Sequence, residues 1–465
     1  MPRKAKKAQK GSSEVDKNLV DGAPTKDLLI QSLVKDIPLT RAILDLVDNS
    51  VDGARALRGK KSYSGLFIHI AISRQGFEIK DNCGGISVEK AREYAFRFGT
   101  PDDVPKHLQT PHSVGQFGVG MKRAIFKLGR KFFIESTTDD SHFVVEEDVD
   151  DWKTRKDKDG KDDWNFKFTP PVVEGVKQSA GVERGTTIKI MRLLRLVAAE
   201  FDKDLFESDL ESEISAAHEI SIGRKLEIKL NNKLIPHQPP RLYMSAKIKP
   251  GRKTIQKTQD GSKIDIVLYA GVYQSRPTKD GGWYVYCNDR LILRADQSSL
   301  TGWGEEIGEF IPRFHPQFAR FRGYVFLDCD NPAVLPWNTT KTGLDTDSML
   351  YQGIRREMNK LGRPVVDLLN DIRTEKNKRL AKRLQTLVEE LDKEPTAHVL
   401  LSEIRRAGSF AYPKRKTVER PDLVEIKYKR PVGKVEELKR FFKVRKPNEV
   451  GEKTFDYVYR IEGNE

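Results

Sequence analysis

Three groups of residues in this chain have the types and spacing to hold a nucleotide. The first is Asp81-Asn82-Cys83-Gly84-Gly85-Ile86, a carboxylate followed closely by two glycines. Such a carboxylate can accept a hydrogen bond from a flat heterocycle, and glycines without a Cβ let the ring approach the backbone. The second runs from Gly115 through Gly118, Val119 and Gly120 to Met121 and Lys122. Backbone amides at a helix start, with a lysine in the first turn, make a phosphate site. The third is Asp45, Asn49 and Asp52, spaced i, i+4 and i+7 so that they form one helical patch. Carboxylates and an amide gathered without a base suit a hard cation held partly by water, as magnesium usually is. Taken singly, the glycine stretch reads as an ordinary turn and the acidic patch as a solvated helix face. Together they point to a nucleotide.

The elements that must position these groups are legible around them. Leu66, Ile68, Ile70 and Ile72, then Phe77 and Ile79, alternate as two strands of a hairpin that ends at Asp81. Within Arg41–Ala54, Leu44, Val47, Val51 and Ala54 share the helical face away from the Asp45 patch. Met121–Leu128 reads as a helix opened by the glycine-rich stretch. The polar, glycine-bearing segment 97–120 reads as a mobile lid, since lids are drawn from low-stability segments. Residues 25–200 therefore read as an α/β sandwich, with helices over one face of a mixed, mostly antiparallel sheet.

These residues resemble the GHKL ATPases, which include gyrase-type topoisomerases, MutL mismatch-repair proteins, the large heat-shock chaperones and the MORC proteins. The resemblance implies a Bergerat α/β-sandwich ATPase domain that takes ATP and Mg2+. On matching positions, Asp45 becomes the general base and Asn49 the magnesium ligand, with Asp52 in the same motif. Asp81 becomes the adenine-binding aspartate, Gly85 the second glycine of the Asp-x-Gly-x-Gly pattern, and Ile86 follows it. Gly115, Gly118, Val119, Gly120 and Lys122 match the ATP lid. Arg184–Ile190 resembles the family's late strand, which makes Thr186 the partner of Asp81. Two positions depart from the pattern. Asp45 stands where a glutamate is usual, one methylene shorter, so that hydrolysis is expected to be slow unless the backbone compensates. Cys83 stands where a glycine is usual, with only a packing consequence expected.

Beyond residue 200 the pattern changes. A helical stretch near 196–218 leads into Leu226–Leu230, which reads as a hairpin with Asn231-Asn232 at its turn. Ile264–Ala270, Trp283–Cys287 and Gly323–Asp328 read as core strands of a second domain. The block 264–345 resembles the superfamily's transducer domain, most like the MORC version, and this implies that Lys341 reaches the γ-phosphate as a charge clamp. The fold class expected is α+β. Its expected layout is a basic arm (1–24), the ATP-binding domain (25–200), a transducer-like domain (201–346), a helical segment (347–395) and a basic C-terminal region (396–465). Pro364 is expected to bend or restart the helix. Leu380, Leu384, Leu387 and Leu391 extend its apolar pattern, while Leu423–Tyr428 and Phe455–Tyr459 read as short strands. Asp150–Asp163 reads as an exposed charged loop.

Composition bounds the partners. The formal net charge is +15, with basic residues clustered in the first ten positions and again from Lys414 to Lys446. That balance favours an anionic partner, and with the resemblance it makes DNA the expected one. Three widely separated cysteines imply neither a disulfide framework nor a metal site, which fits an intracellular compartment, cytoplasmic or nucleoid/nuclear. No apolar run approaches the roughly 20 residues of a membrane span. The resemblance further implies a homodimer that closes on ATP as a clamp. Two alternatives stay open: a chaperone acting on protein clients, and a nucleotide switch that barely hydrolyses.

Overall fold

The computed structural model describes residues 20, 22–35, 37–100, 105–115, 118–274, 277–304, 311–377, 398–413 and 426–462. Residues 1–19 and 21 of the expected basic arm, the later leucines from Leu380, the segment Leu423–Glu425 and parts of the lid lie outside them. The chain divides into two compact units, 1–413 and 414–465.

The first unit begins with helices α1 (Lys26–Lys35) and α2 (Leu39–Arg58), then the hairpin β1 (Phe67–Ser73) and β2 (Gly76–Asp81). A short α3 (Val88–Lys90) opens the lid region, and α4 (Gly120–Leu128) closes it. There follow β3 (Gly129–Thr137), β4 (Ser141–Asp148), α5 (Val149–Thr154), β5 (Phe168–Glu174) and β6 (Gly185–Leu193). Helices α6 (Arg195–Phe201), α7 (Asp204–Ala217) and α8 (Glu219–Gly223) lead to β7 (Glu227–Leu230) and β8 (Lys233–Leu234). These strands form one sheet in the order β5-β4-β3-β6-β2-β1-β7-β8, antiparallel throughout except for β1 against β7. The alternation read from the sequence is what folds it: Leu66, Ile68, Ile70, Ile72, Phe77 and Ile79 are all buried, in one core with the apolar faces of α1, α2 and α4. Phe98, Trp152 and Phe166 extend that core as an aromatic cluster. The charged stretch 150–163 is thus part helix, pinned by the fully buried Trp152, and part exposed turn.

A boundary at residue 200 does not match the pairing. The Asn231-Asn232 turn has φ of 46° and 65°, which favours a tight hairpin, but β7 joins β1 and so extends the first sheet.

The second sheet comprises β10 (Gly251–Gln259), β11 (Ser262–Val272), β12 (Gly282–Cys287), β13 (Arg290–Asp296) and β14 (Phe321–Cys329), in the order β10-β11-β14-β12-β13. Strand β9 (Arg241–Tyr243) precedes it and pairs with β15 (His398–Leu400), while 408–411 bridges to β10. Residues 398–413 therefore fall in the first unit, apart from the rest of the region expected over 396–465. Helix α9 (Met349–Asn377) runs through Pro364 without a break and packs on β11 and β14 through Leu361, Val365, Leu368 and Leu369. Because side chains alternate along a strand, Trp283, Val285 and Cys287 face the α9 core, and Tyr284 and Tyr286 face the other side, toward α7 and α8.

In the second unit, α10 (Val432–Phe442) and α11 (Pro447–Glu462) are helices. The strand expected at Phe455–Tyr459 is thus corrected to helix. A short apolar run fits either periodicity, and here Phe455 stacks on Tyr459 one turn away with ring centroids 6.2 Å apart. Among the described residues no helix is long and apolar enough to cross a membrane.

Candidate functional site

The end of β2 carries the first functional group. Asp81 is 6 % exposed, and its Oδ2 accepts from the Ser50 hydroxyl at 2.6 Å. Its Oδ1 accepts from the amides of Cys83 at 2.8 Å and Thr186 at 3.3 Å. Burial raises the Asp81 pKa, and these three donors oppose the rise. Thr186 on β6 in turn lies 2.9 Å from the Ser136 hydroxyl, which accepts from the Ile86 amide at 2.7 Å. Gly85 has φ +73°, and a Cβ there would lie 2.2 Å from the Thr137 carbonyl oxygen, so that only glycine passes. Cys83 is buried beside Gly53, and burial first, with Asp81 second, pushes its thiol pKa up. A thiol so placed packs and does not react.

One turn and more along α2, the acidic patch separates into different tasks. Asn49 is exposed and its side chain makes no hydrogen bond among the described residues. Asp52 is buried and accepts from the amides of Val114 at 2.8 Å and Gly115 at 2.8 Å, anchoring the end of the lid to the helix. Its carboxylate and the Gly115 amide thus satisfy each other. Asp45 is 3 % exposed and sits between two cations: Arg123 of α4 at 2.6 Å and Lys341 at 3.1 Å.

Lys341 comes from the loop after β14, with its backbone at φ +54°, a region lysine rarely adopts. Trp337 buries beneath that loop, and Asn338 holds its turn by accepting from the Lys341 and Thr342 amides. The ammonium group is 2.8 Å from Asp48 as well as near Asp45. Burial opposes its charge, yet the two carboxylates hold its pKa above the ordinary lysine value. Lys122, in the first turn of α4, is 4 % exposed and donates to the Ala95 carbonyl at 2.8 Å, across the ring of Phe98. Burial brings its pKa down to about 7.

Asp45, Asn49, Asp52, Asp81, Gly85, Ile86, Gly115, Gly118, Val119, Gly120, Lys122, Thr186 and Lys341 all line one cleft of about 250 Å³. Gly118 has φ +62° and meets the backbone of Gly99, so the two ends of the lid region touch there. The Asp81 group and the glycine-rich stretch thus share one cavity. Residues 37–176 match the family model of the histidine kinase-, DNA gyrase B- and HSP90-like ATPases.

Over that segment the chain is similar to the GHKL-type ATPases. No curated protein matches the chain. The fold explains why the matching positions converge: α2, β2, α4 and β6 each contribute one side of the cleft.

Sequence reasoning missed a buried ionic network behind the phosphate end. Asp48 is fully buried; its Oδ1 accepts from Arg290 Nε at 2.7 Å and lies 3.2 Å from His218 Nε2. Burial disfavours the charged carboxylate, but Arg290, Lys341 and His218 together hold it well below the usual carboxylate range. A second set ties the sheets together: Arg55 donates to the Asn288 carbonyl at 2.8 Å and pairs with Asp289 at 3.2 Å, and His112 lies 3.1 Å from Asp328. An aspartate on a helix reads from sequence as a solvated charge. Only Asp48's position three residues after Asp45, beside the same apolar face, hinted otherwise.

Proposed function

We propose that the chain binds ATP in this cleft and hydrolyses it as an ATP-gated dimeric clamp on DNA, in a layout most like the MORC-type ATPases. The observation that carries the reading is the convergence of Asp45, Asn49, Asp81, Gly118 and Lys341 on one cavity. Asp81 and Thr186 take the adenine, and the amides around Gly118 and Gly120 take the phosphates, with Lys122 beside them. The side-chain oxygen of Asn49, exposed and without a hydrogen bond among the described residues, would be one protein ligand for magnesium. Magnesium would supply neutralisation of the phosphate charge there. Asp45 takes a proton from the water that attacks the γ-phosphorus as the bond to the bridging oxygen breaks, giving ADP and phosphate. Lys341 exchanges its carboxylate partners for γ-phosphate oxygens, which couples the second sheet to the nucleotide.

DNA as the clamped partner is supported by the net charge of +15. The test is ATP turnover with and without double-stranded DNA, in the wild type and in Asp45→Ala. DNA stimulation that is abolished by the substitution is expected, and so is a steep loss of DNA affinity with salt. Turnover indifferent to both DNA and the substitution would overturn the proposal. A second reading is favoured by one observation, the pairing of Asp45 with both Arg123 and Lys341, which leaves the shorter carboxylate doubly engaged. A nucleotide switch of that kind binds ATP tightly and releases no phosphate.

A further inference from the structure

A second cavity, of about 640 Å³, is lined by the segment that leads into the lid. Ala91–Ala95 form a single π-helical turn after α3, and Lys122 donates to the carbonyl at its end. Wide turns of this kind concentrate at functional positions. Tyr94 and Ala95 line the nucleotide cleft, whereas Arg92, Phe96, Arg97 and Phe98 line the second cavity. The Phe98 ring touches both: Lys122 lies over it at 5.9 Å, and the Trp164 ring meets it edge-on with centroids 5.8 Å apart. Phe96, Phe166 and Phe168 complete a wall of rings, every one only half-buried. Such rings keep apolar area against water, which a flat apolar partner would remove.

Charge decides which partner. The described lining carries Arg92, Arg97 and Asn165 but no carboxylate. Of the acidic side chains nearby, Glu93 lies outside the lining, and so does Glu174, which is 2.6 Å from Arg92. The Arg92 guanidinium also sits over the Phe168 ring at 5.7 Å. Arg97 is exposed and has no ion-pair partner among the described residues. Rings beside an uncompensated arginine favour a partner that is both aromatic and anionic. A nucleic-acid strand offers base faces to the rings and phosphates to the guanidinium. An apolar peptide would leave Arg97 unused, and a basic one would be repelled. A duplex keeps its bases stacked inside, so the strand must be unpaired.

We propose that this cavity binds an unpaired stretch of nucleic-acid strand, a base against the Phe98 and Trp164 rings and the adjoining phosphate on Arg97. Arg97 and Phe98 are neighbours in the chain, so the two halves of one nucleotide are held side by side. The proposal deepens the reading of DNA as the partner. Its test omits ATP, so its failure and that of the ATP reading are separable.

The experiment follows tryptophan fluorescence of the full chain at about 0.2 M salt, where contacts to phosphate alone are weakened. The titrants are a single-stranded deoxythymidine oligonucleotide, a duplex of the same length and inorganic polyphosphate. The single strand is expected to quench the fluorescence at micromolar concentration, and the other two are expected to leave it unchanged. Trp164→Phe keeps a ring, so it is expected to remove the quench while affinity for a labelled strand, read by anisotropy, changes by less than about threefold. Arg97→Ala, at an exposed position, is expected to weaken that affinity by about fivefold or more. No quench by the single strand would overturn the proposal and leave the cavity to a peptide. Equal quenching by duplex or polyphosphate would also overturn it, as would a quench that survives Trp164→Phe or an affinity that Arg97→Ala leaves unchanged. Should Trp164→Phe fail to fold, Arg97→Ala alone decides.

Discussion

The two ends of the nucleotide cleft are built differently. At the end proposed for adenine, Asp81 is held by Ser50, Cys83 and Thr186, all from the first sheet, the loop after β2 and the helix packed on it. The contacts are hydrogen bonds to neutral groups, and nothing from the second sheet takes part. At the end proposed for the phosphates, Asp45 and Asp48 are held by Arg123, Arg290 and Lys341, and two of those three cations arrive from more than two hundred residues away. One end is prearranged by a single layer and suits recognition. The other exists only when two layers are docked, and suits reporting what is bound. Buried ion pairs of this kind are poor sources of net stability but are strongly destabilising when half is removed.

The largest effect that would sharpen this contrast is on stability. Asp48→Asn leaves Arg290 uncompensated and should cost about 3–5 kcal/mol in denaturant unfolding. Because the folded pKa of Asp48 is depressed, its contribution is complete above the unfolded carboxylate value of about 3.9 and is lost as pH falls through the lower folded value. The wild type should therefore lose stability in acid along a curve that Asp48→Asn flattens. An unchanged acid profile would mean that the network does not hold the layers.

Next comes affinity. Asp81→Asn should weaken nucleotide binding by about 1.5–3 kcal/mol, roughly 10- to 150-fold, with little change in melting temperature. A comparable loss of stability at Asp81 would break the comparison, since both ends would then be structural.

The smallest effect is a pH dependence at Lys122. With its pKa near 7, an anionic phosphate beside it favours the protonated form, so binding takes up a proton above that pH. Affinity should be highest below pH 7 and fall by at most about tenfold per pH unit above it, until the raised pKa of the bound state is passed. Lys122→Met should remove that slope in binding titrations from pH 6 to 9.

Much of the first layer was readable in advance because its signals are local. Alternating apolar residues gave β1 and β2, Asn231-Asn232 gave a tight turn with positive φ, and spacing put Asp45, Asn49 and Asp52 on one helix. What spacing did not reveal was the division of labour among those three. Asp52 turned to the lid amides and Asp45 to two cations, because each carboxylate pairs with whichever donor the packed neighbour supplies. The strand expected at Phe455–Tyr459 failed for a related reason: five residues are too few to tell a period of 2 from one of 3.6.

The sequence by itself determined which residues the local motifs set side by side, since motif spacing, strand alternation and turn residues are written within some ten neighbours. The tertiary structure alone decided which charges are buried together. Arg290 and Lys341 meet Asp48 across 242 and 293 residues. No local pattern encodes such a meeting; it follows from how the second sheet docks on α2, where removing water from the carboxylate makes a paired cation necessary.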